Sequence, residues 1–403
     1  MGPIGLMEPM RRTILLTERK PRRVRLAPAD VVFLLAAHRG RIDLAPTGRR
    51  GVFRLTPRGC AGVVVAPTRR LVIHPKIPLQ NLFLLLDPDD PVSTASDEVA
   101  PTPDLEILDF LAGRLARLLA ERGAAGLRRG YRERAEEGPF LHGRIDVPAQ
   151  LREGHVRKDR LHSVRDDFTA DVPCNQAPKA TAERLLASSL LGVRVREALL
   201  QALRGFEEVG TAPLTPDVFA AAEADRLAES YQPLLDLCRL LADALGPSDD
   251  AGTTPFPAFL LDMERVFERY VTRGVMEAFA GADGWTAAAQ QAHIVAPGVE
   301  MRPDLTVYRE GRPMLVVDAK WKRPAGAPSP TDLYQMLAYC TALGVGRAVL
   351  VYPGRRDGVQ VYPLHHAPIR VEMRTVRVVG APARCLRSLK RLGRALQKSQ
   401  GEE

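Results

Sequence analysis

The sequence predicts a multidomain α/β protein, and three features of its patterning carry that reading. Short β-like runs fill roughly the first hundred residues, leucines at helical spacing dominate the middle, and helical and strand-like segments alternate from about Thr254 onward. At 403 residues the chain exceeds what one ordinary hydrophobic core organises. Apolar residues at 45% and charged residues at 26% suit packed cores rather than disorder. The expected division is a β-rich domain over 1–100, a mainly helical domain over 101–250, and an α/β domain over 254–403 that ends in a basic helix.

The β-like pieces are Thr13–Leu16, Val52–Leu55, Gly62–Ala66 and Leu71–Ile73, separated by Gly, Pro and Arg turns. A Pro-rich polar stretch from Asp87 to Pro103 reads as a linker. Leu105, Leu108, Leu111, Leu115, Leu118 and Leu119 then recur at helical spacing, and similar patterns run from Ala180 to Leu203 and from Pro216 to Leu245. Between them lies an arginine-rich segment, Arg128 to Arg165, with one expected strand at Gly143–Val147. A second linker spans 246–257.

Beyond that linker a helix is expected over Ala258–Ala280, because Leu260, Met263, Phe267, Tyr270 and Val271 share one face. Strands are expected near Ala287–Val295, Glu300–Tyr308 and Pro313–Trp321. A helix then opens at Ser329-Pro330, with Ser as N-cap and Pro at the first helical position, and stops at Gly344. A strand over Arg347–Tyr352 completes an α-β-β-β-α-β order.

Function classes narrow before any motif is weighed. The chain has 57 basic and 48 acidic residues, a net charge of +9 compatible with a polyanionic partner. No apolar segment is long enough to span a membrane, and none reads as an export signal, which makes a cytoplasmic protein without membrane association the expectation. Cys60, Cys174, Cys238, Cys340 and Cys385 lie far apart, without a CxxC pair, and fit neither a disulfide framework nor a zinc site. No Gly-Lys dipeptide is present, so a phosphate loop is absent and no nucleotide is expected on this chain.

The chemistry concentrates in Arg302–Arg323, RPDLTVYREGRPMLVVDAKWKR. Arg309-Glu-Gly-Arg312 marks a hairpin turn, and a turn centred on Gly311 sets Asp304 opposite Asp318. Directly opposed side chains have Cβ atoms about 4.5–5.5 Å apart. Period-two alternation places Lys320 on the same face as Asp318. Two carboxylates so close repel unless a cation neutralises them or one takes a proton. A hard divalent ion, Mg2+ with Mn2+ as a substitute, resolves the conflict, and Lys320 would stand beside it, where an ammonium positions water or balances charge on phosphate. A bare Asp-x-Lys on a surface hairpin is more often a solvated ion pair; the Pro-Asp at hairpin distance, the Leu-Val-Val lead-in and the flanking helices argue for the catalytic reading.

Pro303-Asp304 and Asp318-Ala319-Lys320 within an αβββαβ order resemble the PD-(D/E)XK nuclease superfamily. The resemblance implies metal-dependent cleavage of nucleic acid, with Asp304, Asp318 and the Ala319 carbonyl as metal ligands and Lys320 at the water. It also implies a role for Glu268 on the first core helix as a further metal ligand, and for Gln335 and Tyr339 as a QxxxY element, whose spacing puts them on one helix face. More narrowly, Pro75-Lys76-Ile77, Leu141–Ile145, Asp171–Asn175, Asp262–Glu268, Arg302–Asp304, Asp318–Lys322 and Tyr334–Tyr339 occur in the order of the McrC family, the nuclease subunits of McrBC modification-dependent restriction systems. That resemblance implies modified double-stranded DNA as substrate and an AAA+ GTPase of the McrB type as partner, engaged and stimulated by the N-terminal domain. A stand-alone RecB-like repair nuclease and a non-enzymatic activator of an AAA+ ring are the other readings. The bases Arg128, Arg129, Arg132, Arg134, Arg144, Arg152, Arg157, Lys158, Arg160 and Arg165 are candidates for phosphate contact or for an acidic partner.

Overall fold

The computed structural model describes residues 12–87, 106–153, 159–225, 230–245, 258–323, 326–365 and 367–398. Apart from Asp87, the expected linkers, over 87–103 and 246–257, fall outside the described residues, as do Arg157 and Lys158. Two compact units emerge: Met1–Ala100 joined with Leu260–Glu403, and Pro101–Phe259. The β-rich start and the α/β end thus share one unit.

In the first unit the chain opens with β1 (Arg12–Thr17), β2 (Arg22–Arg25), α1 (Pro28–Ala37), β3 (Ile42–Pro46), β4 (Val52–Pro57), β5 (Cys60–Val65), β6 (Arg69–His74) and α2 (Leu79–Leu86). β5, CAGVVV, is buried at every position, which explains its unbroken run of small and apolar residues. β2, β4 and β3 form one small sheet in that order.

The second unit holds α3 (Glu106–Ala125), β7 (Gly130–Gly138), β8 (Arg144–Ile145), α4 (Val147–Glu153), β9 (Leu161–Thr169), α5 (Pro173–Ala187), α6 (Val193–Leu203), α7 (Pro216–Ala224) and α8 (Gln232–Leu245). Leu108, Leu111, Leu115 and Leu119 of α3 are buried, as their spacing predicts. The region is less purely helical than expected, because β7, β9 and β8 form a three-stranded sheet where the sequence predicts one strand. β7, GYRERAEEG, has no buried position and so lacks the alternation by which strands are recognised. Charge pairing takes its place. Arg129 meets Glu208, Arg132 meets Asp171, Arg134 and Arg165 meet Asp167, and Arg144 meets Glu133. These five of the arginines considered for phosphate contact therefore already have acidic neighbours.

The first unit resumes at Leu260, within β10 (Ala258–Asp262), the strand that joins β1, β6 and β5 in the order β1-β6-β5-β10. This corrects the expected helix start: Ala-Phe-Leu-Leu extends a sheet, and α9 (Met263–Phe279) begins only where the Asp262 carboxylate accepts from the Glu264 and Arg265 amides. β11 (Trp285–Ala289), β12 (His293–Ala296), β13 (Val299–Met301), β14 (Leu305–Arg309) and β15 (Arg312–Ala319) follow. Then come α10 (Pro330–Leu343), β16 (Arg347–Gly354), β17 (Gly358–Pro363), β18 (Arg370–Arg377) and α11 (Pro382–Lys398). The two strands expected over Ala287–Val295 and Glu300–Tyr308 are each split. β11 and β14 pair in the main sheet, whereas β12 and β13 form a separate hairpin. The main sheet runs β11-β14-β15-β16-β18-β17, with β15, β16 and β18 parallel.

Helices cover both faces of that sheet. Met336, Tyr339 and Cys340 of α10 pack with Val316, Ala348, Leu350 and Val371. α10 opens with the Ser329 hydroxyl accepting from the Asp332 amide and ends at Gly344, whose φ of 67° is the left-handed value that favours glycine. α9 meets β15 through Phe267 and Trp321, whose ring centroids are 5.4 Å apart. α11 lies along α9 and buries Cys385, Leu389, Leu392 and Leu396.

The N-terminal strands grip the sheet end that follows Asp318. Trp321, 1% exposed, donates its indole N–H to the buried Glu18 carboxylate at 2.7 Å. Lys76 Nζ donates to the Trp321 carbonyl at 3.0 Å and stands 3.9 Å above the indole ring. Burial pulls the Lys76 ammonium down to about 8.

All five cysteines are buried free thiols. Among the described residues no helix is long and apolar enough to cross a membrane.

The α9–α11 contact leaves no room at Gly393, where a Cβ would fall 2.5 Å from Ala278 Cβ and 2.9 Å from the Gly274 carbonyl. Gly393→Ala is expected to lower unfolding free energy by about 1–3 kcal/mol, read as an earlier midpoint in urea. An unshifted midpoint would count against this close approach.

Candidate active site

β14 and β15 are joined by a two-residue turn, Glu310-Gly311, with φ of 49° and 78°, the double positive φ of a type I′ hairpin. Near the turn Arg309 faces Arg312 and Tyr308 faces Pro313; a bulge then shifts the register so that Leu305 faces Val317. One step further, the ladder brings Asp304 opposite Asp318. The juxtaposition expected from the sequence is reached, but by a tighter turn plus one extra residue on β15.

Asp318 sits one residue from the end of β15 and is 1% exposed. Lys320 Nζ lies 2.6 Å from its Oδ2 and donates to Gln335 Oε1 on α10 at 2.8 Å. Gln335 Nε2 donates to the Tyr339 hydroxyl at 2.8 Å, and that hydroxyl donates to the Arg302 carbonyl at 3.4 Å. On the other side, the Ala319 amide donates to Asp304 Oδ2 at 2.8 Å. Gln290 Nε2 reaches both Asp304 Oδ1 (3.1 Å) and Glu268 Oε1 (2.6 Å). All six candidate side chains, Glu268, Asp304, Asp318, Lys320, Gln335 and Tyr339, thus fall in one neighbourhood, drawn from α9, β15, α10 and the entry to β14. The Ala319 backbone lies with them.

The electrostatics follow from burial. The Asp318 carboxyl is pushed up toward neutrality by desolvation and by the Asp304 charge, against the opposing pull of Lys320. Desolvation and the Glu268 charge raise Asp304 in the same way, offset by the Ala319 N–H. Glu268 is raised by burial, with Gln290 working against the shift. For Lys320, burial favours the neutral amine, but the Asp318, Asp304 and Asp332 carboxylates together outweigh it and the ammonium is held more firmly than usual. Asp318 Oδ2 is buried and, despite the nearby ammonium, has no aligned hydrogen-bond donor among the described residues. No three acid, His or Cys groups among those residues converge closely enough to form a metal cage of side chains alone.

Gln290 was not legible in the sequence. It follows β11 with a left-handed φ of 50°, and neither its residue type nor its spacing marks it.

Residues 55–353 match the family described as McrBC 5-methylcytosine restriction system component. The chain belongs to that family. Within this McrBC family member, segments that carried the resemblance hold structure as well as chemistry. Gly143 is required because a Cβ there would lie 2.4 Å from the Val164 carbonyl. Asn175 Nδ2 donates to the Arg128 and Ala170 carbonyls, while its Oδ1 accepts from the Tyr231 hydroxyl.

Among solved structures, the chain is similar to one described as a refined half-complex from a tetradecameric assembly of Thermococcus gammatolerans McrB AAA+ hexamers with bound McrC. The TM-score is 0.52, at 17% identity, over 94% of this chain and 100% of that one. The cryo-EM structure of the Thermococcus gammatolerans McrBC complex aligns at 0.43, with 19% identity, over 66% and 88% of the two chains. No curated protein sequence matches significantly.

A carboxyl raised on folding stabilises the native state while protonated and ceases to do so as it ionises. Without divalent ions, stability should therefore fall as the pH rises from about 4 toward about 7. Asp318→Asn should flatten that decline and raise the melting temperature at pH 8. Melts across pH in EDTA test this, and a decline of the same size in the variant would refute the assignment to Asp318.

Proposed function

We propose that this chain is the DNA-cleaving subunit of a GTP-dependent, modification-dependent restriction complex. It would be a Mg2+-dependent endodeoxyribonuclease built on a PD-(D/E)XK core that runs from α9 to β16. The observation that carries the reading is the buried Asp318 carboxylate, one oxygen of it without an aligned donor, set between Asp304 and Lys320.

The donor set fits a hard divalent ion: Asp304 and Asp318, with Glu268 and the Ala319 carbonyl, would hold Mg2+, and Mn2+ would substitute. The fit rests on the buried Asp318 oxygen, which has the Lys320 ammonium beside it but no aligned donor, and on the protonation that burial and mutual repulsion favour at Asp304 and Asp318 when no further cation is present. When bound, the ion supplies Lewis-acid polarisation of the phosphate and charge for the acids. Lys320 orients the attacking water and balances negative charge growing on the phosphate oxygens. Gln335 fixes the Lys320 ammonium, and Tyr339 fixes Gln335 in turn. Hydrolysis forms one P–O bond to the water oxygen and breaks one ester P–O bond.

The partner in this reading is an AAA+ GTPase of the McrB type, which recognises modified double-stranded DNA and is stimulated by this chain through its β-rich N-terminal part. Family membership and the likeness to McrC bound to McrB hexamers support it. The chain itself would bind no nucleotide, consistent with a sequence that lacks a phosphate loop, and would act in the cytoplasm.

Asp318→Ala should reduce cleavage of modified DNA by at least about a thousandfold, while stimulation of the partner's GTP hydrolysis stays within about twofold of wild type. Both are read on the reconstituted complex by gel and phosphate release. Cleavage at the wild-type rate would overturn the reading.

A further inference from the structure

Gln290 stands in an unusual place for a neutral side chain. Its single amide nitrogen lies 2.6 Å from Glu268 Oε1 and 3.1 Å from Asp304 Oδ1. One donor thus serves two acids that approach from different elements, α9 and the entry to β14. The NH2 group has two hydrogens, so each carboxylate can take one. The two oxygens can be no further apart than these two contacts laid end to end.

The backbone is bent to make this possible. Gln290 has a left-handed φ of 50°, a conformation that glycine adopts freely and other residues adopt at a cost of order 1 kcal/mol. Its amide donates to the Asp304 carbonyl at 3.1 Å, which ties the strained residue to the acid it serves. Glycine would relieve the strain but would forfeit the side chain.

A cationic residue here would neutralise the acids and compete with a dication. The neutral amide orients them and leaves their charge intact. Each carboxylate oxygen keeps a second lone pair for another ligand.

We propose that Gln290 is a positioning residue, holding Glu268 and Asp304 in the geometry that receives the divalent ion; this rests on the metal site of the preceding reading. Outer-sphere partners of this kind are worth roughly 10–100-fold in metal affinity.

The test is Mn2+ binding to the full chain without DNA, followed by electron paramagnetic resonance of the free ion. Wild type should bind Mn2+ in a manner abolished by Asp318→Ala. Gln290→Ala and Gln290→Gly should both raise the dissociation constant about tenfold or more. Melts in EDTA check that the variants are folded, and the glycine variant, which suits the local φ, provides the folded case if alanine fails.

If wild type binds Mn2+ and both variants match it, the positioning role is overturned and the metal site stands. If alanine weakens binding but glycine restores it, backbone conformation and not the amide is responsible, and the proposal is again overturned. If wild type binds no Mn2+, the metal site and the proposal fall together.

Discussion

The interaction on which the rest depends is the burial of the Asp318 carboxylate against a second acid. Charge removed from water is tolerated only with a counter-charge or a proton, and the surrounding residues serve that need. Lys320 stands two residues along the same strand face, Gln335 and Tyr339 brace it from α10, and the Ala319 amide and Gln290 engage Asp304. The strands on either side of β15, antiparallel β14 and parallel β16, matter for the same reason. They keep water from Asp318 and leave the sheet end as the place where Asp304 and Asp318 meet.

Much of this arrangement was legible because it is local. Ser329, Pro330 and Gly344 mark α10 by capping chemistry that acts within one turn, and the i, i+4 spacing of Gln335 and Tyr339 needs only helical periodicity. The opposition of Asp304 to Asp318 was read for a partly mistaken reason: a turn centred on Gly311 and a type I′ turn followed by a bulge lead to the same register at the strand ends. What escaped the sequence is set by tertiary contact. Ala258–Asp262 has an apolar pattern that suits a helix or a buried strand, and only an available β5 edge decides between them. β7 carries no apolar face, so ion pairs between β7 and β9, Arg134 with Asp167 and Arg165 with Glu136, supply what periodicity does not. Gln290 depends on a left-handed φ that no residue type announces.

The net basic charge also reads differently once neighbours are known. In the second unit Arg129, Arg132, Arg144 and Arg165 stand beside Glu208, Asp171, Glu133 and Asp167, so they knit a sheet that has little hydrophobic area to hold it. Surface pairs of this sort are individually weak, and their number matters more than any one of them. Lys76 shows the opposite case: a single half-buried ammonium, placed over an indole and against a backbone carbonyl, joins segments distant in sequence.

That contact between Glu18, Lys76 and Trp321 has a consequence for biosynthesis. The halves of the first unit are separated in sequence by the whole of the second, so the earliest strands leave the ribosome long before β10 and the indole that complete them. At a synthesis rate of about 5–20 residues per second, those strands wait for ten seconds or more with an open β5 edge and with Glu18 still lacking its indole donor. Completion of the first unit is thereby a late, long-range closure.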